Sequence, residues 1–207
     1  MKNKEDYIKD ISEIRSIMER SSRFISLSGL SGVMAGAYAL IASFLAYKKV
    51  YVNASLFTYR KSYVLENDTL MYLMILATAT LLISVLTGVI LTTRKAKKDG
   101  LKIWSEGSRR LLVHLIIPIV TGGIFILAFA NRGYFGIVAP ASLIFYGLAL
   151  INASKFTLKD VHYLGLSEIV LGLLATFYPG YGLIFWATGF GILHIVYGIS
   201  MYYKYER

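Results

Sequence analysis

The stretch IVLGLLATFYPGYGLIFWATGFGILHIVYGISMYY, Ile169 to Tyr203, decides how this chain is built, because its 35 consecutive residues include no Asp, Glu, Lys or Arg. At 1.5 Å rise per residue a single helix of that length would measure about 50 Å, well beyond a hydrocarbon core of about 30 Å. Within it stands Tyr178-Pro179-Gly180-Tyr181-Gly182. Proline presets one turn angle and glycine permits the other, so the sequence predicts a turn there. The run therefore reads as a hairpin of two membrane-spanning helices folded at Pro179-Gly180.

Working outward, four more apolar runs meet or approach the length a span requires: Phe24 to Tyr47, Thr69 to Thr93, Leu111 to Asn131 and Gly133 to Ser154. The expectation is an all-α polytopic membrane protein of six helices, at about 24–47, 69–93, 111–131, 133–154, 161–178 and 182–203, with a four-residue tail at 204–207. Composition agrees. Of the 207 residues, 56% are hydrophobic and 16% charged, an apolar excess that a water-soluble core of this size cannot hide. The first apolar run starts at Phe24 and is too long for the core of a cleaved signal peptide, so it is expected to be retained.

The net charge of +10 raises a nucleic-acid reading, but all 22 Lys and Arg lie outside the apolar runs. Placing the amino end inside gives 17 basic residues on the inner segments and 5 on the outer loops, which predicts both termini in the cytoplasm. Lys48 and Lys49, at the outer end of the first span, run against this bias without reversing it. The basic residues then serve orientation and contact with anionic lipid headgroups, and no nucleic-acid partner is expected.

Before Phe24, the residues Tyr7, Ile11, Ile14 and Met18 recur at helical spacing, with charges on the other face. This predicts a cytoplasmic amphipathic helix at 1–23. It would lie in the inner headgroup layer, or alternatively contact a second copy of the chain or a protein partner. A second basic segment, Arg94-Lys95-Ala96-Lys97-Lys98, precedes Leu101, Ile103 and Trp104 and reads as an inner loop held at the membrane surface.

Few polar residues inside the spans need a reason. Glu168 is the only charged one. An ionised group in hydrocarbon costs about 2.5–3.5 kcal/mol on the translocon insertion scale, so such residues usually face protein or water. Entry of the fifth span near His162 would put Glu168 about 9 Å along it, short of the midplane. Contact with water at the inner surface or a helix–helix hydrogen bond would account for it; an ion or proton site is the functional alternative. Folding the hairpin at Pro179-Gly180 levels position 168 with about 192, so His194 falls within a helical turn of Glu168 in depth. A carboxylate beside an imidazole can share a proton. His114, in the third span, completes the candidate site residues.

Pro118 removes a helical N–H and crowds the carbonyl of residue 114, and Gly122-Gly123 follows a turn later. Pro140 repeats the theme in the fourth span. All four are candidates for kinked helices, which line sites in transporters but are also routine packing features. Ser28, Gly32 and Gly36 form a small-residue ridge on the first span for close helix packing, against another span or another subunit. Gly189-Phe190-Gly191 is no dinucleotide fingerprint, since it follows no strand and lacks the third glycine.

No Walker A loop, His-Glu-x-x-His pair or Gly-x-Ser-x-Gly elbow occurs, and with no cysteine there is no thiol nucleophile or thiolate metal site. No metal or cofactor is implied, and no enzymatic activity is expected. An intramembrane enzyme using His and Glu as acid and base is the weakest reading, for want of a nucleophile.

The stretches ISEIRSIMERSSRFISLSGLSGVMAG (Ile11–Gly36) and YLGLSEIVLGLLATFYPGYGLIFWATGFGILHIVYGISMYYKYE (Tyr163–Glu206) resemble multi-pass inner-membrane proteins of Bacteroidota that have no established activity. The resemblance implies a bacterial cytoplasmic membrane and transfers no functional residue. Function is accordingly expected to be non-enzymatic: a sensor, scaffold or regulatory partner at the inner membrane. The alternative is a small proton- or cation-linked transporter or channel using Glu168 and His194.

Overall fold

The computed structural model describes residues 24, 26–50, 67–101 and 103–207, and among these every regular element is a helix. The predicted amphipathic helix at 1–23 lies outside them. Helix α1 spans Gly29–Val50, α2 Asn67–Lys98 and α3 Glu106–Ala130; a 3-10 turn, Phe135–Ile137, leads into α4, Val138–Ser154. Helix α5 is Asp160–Phe177, and α6 is Gly182–Tyr205, which widens to a π-helix over Ala187–Leu193. Six helices are thus long and apolar enough to cross a membrane.

The turn that sets the count of six falls where the sequence places it. Helix α5 ends at Phe177 and α6 begins at Gly182, with Gly180 at φ 93°, a left-handed conformation that side chains disfavour. Several boundaries move outward from the sequence expectation, three of them by a wide margin or into charged sequence. Helix α2 continues to Lys98, α3 starts at Glu106, and α6 runs to Tyr205, because charged and amphipathic side chains extend a helix past its apolar core without breaking it. Ser105 caps α3 reciprocally with Ser108, its N–H donating to Ser108 Oγ at 2.8 Å.

The start of the first span is corrected inward, from 24 to Gly29. Phe24 and Ser26–Ser28 are non-helical, and tertiary hydrogen bonds take up the backbone there. Phe24 N–H donates to Phe156 O at 2.8 Å, Thr157 Oγ1 donates to Phe24 O at 2.5 Å, and Lys95 Nζ donates to Leu27 O at 2.8 Å. Glu206 closes the same end. Its Oε1 accepts from the Gly29 N–H and stands 3.3 Å from Lys95 Nζ, tying the ends of α1, α2 and α6 together.

In space the helices follow the order α2, α1, α6, α5, α4, α3. Helix α1 packs on α2 and α6, α4 packs on α3 and α5, and α6 meets α5 and α4 across the centre. Helices α2 and α3 flank the bundle with wide apolar faces; Leu82 is 64% and Ile124 65% exposed, surfaces suited to lipid. The core runs between the four inner helices, with Leu143, Ala149 and Met201 buried there.

Glycine ridges set the closest approaches. A Cβ on Gly29 would stand 2.5 Å from Gly198 O, one on Gly36 would stand 2.6 Å from Gly191 O, and one on Gly32 would lie 3.3 Å from His194 O. The small-residue ridge of α1 therefore seats on α6 of the same chain. Gly29, not Ser28, is its first member. Ser28 precedes the helix and uses its carbonyl to accept from Ser31 N–H, at 3.2 Å. Gly147 and Gly165 allow the same backbone approach between α4 and α5.

Candidate functional site

Glu168 lies halfway along α5 and His194 halfway along α6. The helix begins at Asp160, before His162, so Glu168 stands nearer the middle of its helix than an entry at His162 suggests. The two side chains face each other, His194 Nδ1 standing 3.4 Å from Glu168 Oε1. Glu168 is 0% and His194 6% exposed. Neither carboxyl oxygen of Glu168 has a hydrogen-bond partner among the described residues. A buried polar group left in that condition costs about 1–3 kcal/mol, so the site concentrates an unmet demand for a proton or a donor.

His194 is held by both ring nitrogens. Nδ1 lies 3.0 Å from Gly189 O, five residues back on the same helix, and Nε2 lies 2.8 Å from the Tyr146 hydroxyl on α4. The rings of Tyr146 and His194 stack with centroids 5.4 Å apart, and Phe190 lies 5.1 Å from Tyr146 on the next side. The π-helical stretch is what presents these groups together. Its wider turn brings the Gly189 carbonyl within reach of the imidazole. A Cβ at Gly189 would collide with Glu168 Oε2 and stand 2.5 Å from Leu143 Cδ2, so the glycine makes the space the carboxyl group occupies.

Tyr146 and Gly189 are the members that sequence reasoning misses. Tyr146 is one of 16 tyrosines and carries no distinguishing pattern. Gly189 does carry a signal, in Gly189-Phe190-Gly191 just ahead of His194: two glycines in a helix need a packing reason. Gly189 admits Glu168 and Gly191 admits Leu40 of α1.

His114 does not join the pair. It is exposed on α3, where its ring stacks on Phe156 at 4.7 Å. Helix α3 runs unbroken through Pro118 from Glu106 to Ala130. Of the glycines beyond it, Gly122 is buried, and a Cβ there would stand 2.5 Å from Phe145 Cγ; Gly123 faces open space. Gly122 therefore serves the α3–α4 contact. Pro140 sits in the first turn of α4, two residues after Val138, where its missing N–H is little loss.

Towards the Pro179 end an apolar groove of about 380 Å³ opens between Phe129, Tyr134, Ile137, Pro140, Ala175 and Pro179. Neither Glu168 nor His194 lines it. Comparison with protein-family models, with curated proteins and with solved structures finds no match to this chain. The functional reading therefore rests on the buried pair and its surroundings.

Proposed function

We propose that this chain is a non-enzymatic sensor or regulatory protein of the bacterial cytoplasmic membrane, both termini inside, whose state is set at the Glu168–His194 pair. The observation that carries the reading is Glu168 itself, wholly buried opposite an imidazole and, among the described residues, without a hydrogen-bond donor for either oxygen. An ionisable residue in a bundle interior is a functional candidate by default, since apolar residues would pack the same space at lower cost. The closed surroundings favour sensing over transport. The carboxyl group has no exposed surface and the groove at the Pro179 end is lined without it.

The surface that would report such a change lies at the Glu206 end. Lys95 there belongs to the basic run Arg94–Lys98, followed by Trp104 at 70% exposed, a combination suited to anionic headgroups and an indole anchor. The sequence before Phe24, apolar at helical spacing on one face, would engage a protein partner or a second copy of the chain.

A transporter is the second reading, favoured by the mid-helix position of Glu168 beside a π-helical turn. Proteoliposomes separate the two. A spin label on Lys98→Cys is unique, because the chain has no cysteine. The sensor reading expects its spectrum to change as the pH is taken from about 8 to about 5. It expects the Glu168→Gln variant not to respond, and proton flux to stay at the level of empty vesicles. A flux that Glu168→Gln abolishes would replace the sensor with a transporter; an unresponsive label without flux would remove both.

A further inference from the structure

Taking Glu168 and His194 as the pair that changes state, we propose that Glu168, His194 and Tyr146 form one binding site for a single exchangeable proton, which His194 takes up on Nε2 opposite the Tyr146 hydroxyl.

The first constraint is on the tautomer. Gly189 O can only accept, and it lies 3.0 Å from His194 Nδ1. A bare Nδ1 would set a lone pair against a carbonyl lone pair, so Nδ1 keeps its hydrogen in every state. The nitrogen free to gain or lose a proton is therefore Nε2. Its partner at 2.8 Å is a hydroxyl, which can serve both states. With Nε2 bare, Tyr146 O–H donates to it. When a proton bonds to the Nε2 lone pair, the imidazole becomes imidazolium, the hydroxyl turns, and its oxygen accepts from Nε2–H. No other bond has to form or break.

The second constraint is charge. Glu168 Oε1, 3.4 Å from Nδ1, supplies one negative charge and has no hydrogen-bond donor of its own among the described residues. Carboxylate and imidazolium together are neutral, as are a protonated Glu168 and a bare Nε2. One proton satisfies the site, whereas none or two leave a net charge in a closed interior.

The titratable groups that face the site come from three helices. Helix α4 contributes Tyr146 and α5 contributes Glu168. Helix α6 contributes His194, with Tyr197 one turn further on. Helix α1 meets this part of α6 through Gly32, Gly36 and the Leu40 side chain, none of them titratable. Glu168 and His194 are buried, and the Tyr146 hydroxyl bonded to Nε2 is enclosed with them, so the three groups share one closed interior.

The test is nitrogen-15 magnetic resonance of the full chain in lipid nanodiscs, with the exposed His114 and His162 replaced by Gln so that His194 is the only histidine. Expected are an Nδ1–H at every pH, a single one-proton transition at Nε2, and a fall in Nε2 proton affinity of about tenfold or more in Glu168→Gln, from loss of the opposing charge. Tyr146→Phe should retain Nδ1–H and also lower that affinity, because the imidazolium loses its acceptor; this variant carries the test if Glu168→Gln fails to fold. A proton found on Nε2 with Nδ1 bare, or a transition that neither variant moves, would overturn the proposal even if the Lys98→Cys label responds to pH. A transition that behaves as described beside a silent label would instead remove the sensor reading and leave the proton site standing.

Discussion

Gly122 and Gly123 are neighbours in α3 and look alike in sequence, yet their surroundings differ completely. Gly122 is in contact with the Phe145 ring of α4, while Gly123 has no atom within 4 Å of the place a Cβ would take. Gly122→Ala should destabilise the bundle by about 1–3 kcal/mol through overpacking. Gly123→Ala should be neutral or stabilising by up to about 1 kcal/mol, since alanine restricts the unfolded helix backbone. Thermal unfolding in detergent measures both, and equal effects would contradict the assigned contact. The contrast shows what residue type alone conveys. Glycines at helical spacing announce close packing, but which one of a pair touches a neighbour depends on the rotation of the helix. Glu168 and His194 were legible for a related reason: polar residues in apolar runs stand out singly, and one turn in the chain fixes their depth. Tyr146 was not, because a tyrosine fits the interior of a membrane helix and its surface equally well.

At the scale of elements, the bilayer makes spans readable and leaves their ends to tertiary contacts. Six apolar runs had to become helices because backbone groups in lipid must be satisfied within the chain. The beginning of α1 could not be read the same way. Phe24 to Ser28 are as suited to a helix as the first turns of α1 itself, and it is the carbonyl of Phe156, distant in sequence, that draws the Phe24 N–H away. The π-helical stretch of α6 was equally hidden, since its Gly189 is matched to a carboxyl group on another helix. The Glu206 clasp allows a direct test of how element ends are held. Glu206 and Lys95 side chains are 15% and 12% exposed, and Glu206 also accepts from the first N–H of α1. Glu206→Ala should lower stability by about 1–3 kcal/mol, as expected for a shielded charged hydrogen bond. Lys204→Ala, which removes an ion pair to Asp160 from a side chain 54% exposed, should cost less. The same detergent melts decide it, and a larger loss for Lys204→Ala would contradict the clasp.

Across the molecule, the described helices divide into two groups of three, α2–α1–α6 and α3–α4–α5, each held by close helix contacts. Glu168 and Tyr146 belong to the second group and His194 to the first. The polar contacts at 3.4 Å and 2.8 Å thus join the halves at mid-helix, while the Asp160–Lys204 pair and the Phe24–Phe156 bond join them at one end. A change in the central site would act where, among the described residues, the halves meet through polar groups at depth. Helix α1, resting on the backbone of Gly191 and Gly198, would follow any movement of α6. The hydropathy of the chain conveys six spans and says nothing of this division, which arises from where the glycine ridges lie. The most direct test of the central claim is a double-mutant cycle on stability with Glu168→Gln, His194→Gln and the pair together. Coupling of at least about 1 kcal/mol is the predicted result, because each single variant leaves the other partner buried without its counterpart. Additivity to within about 0.5 kcal/mol would mean that the two residues do not act as a unit, and the account would fail at its centre.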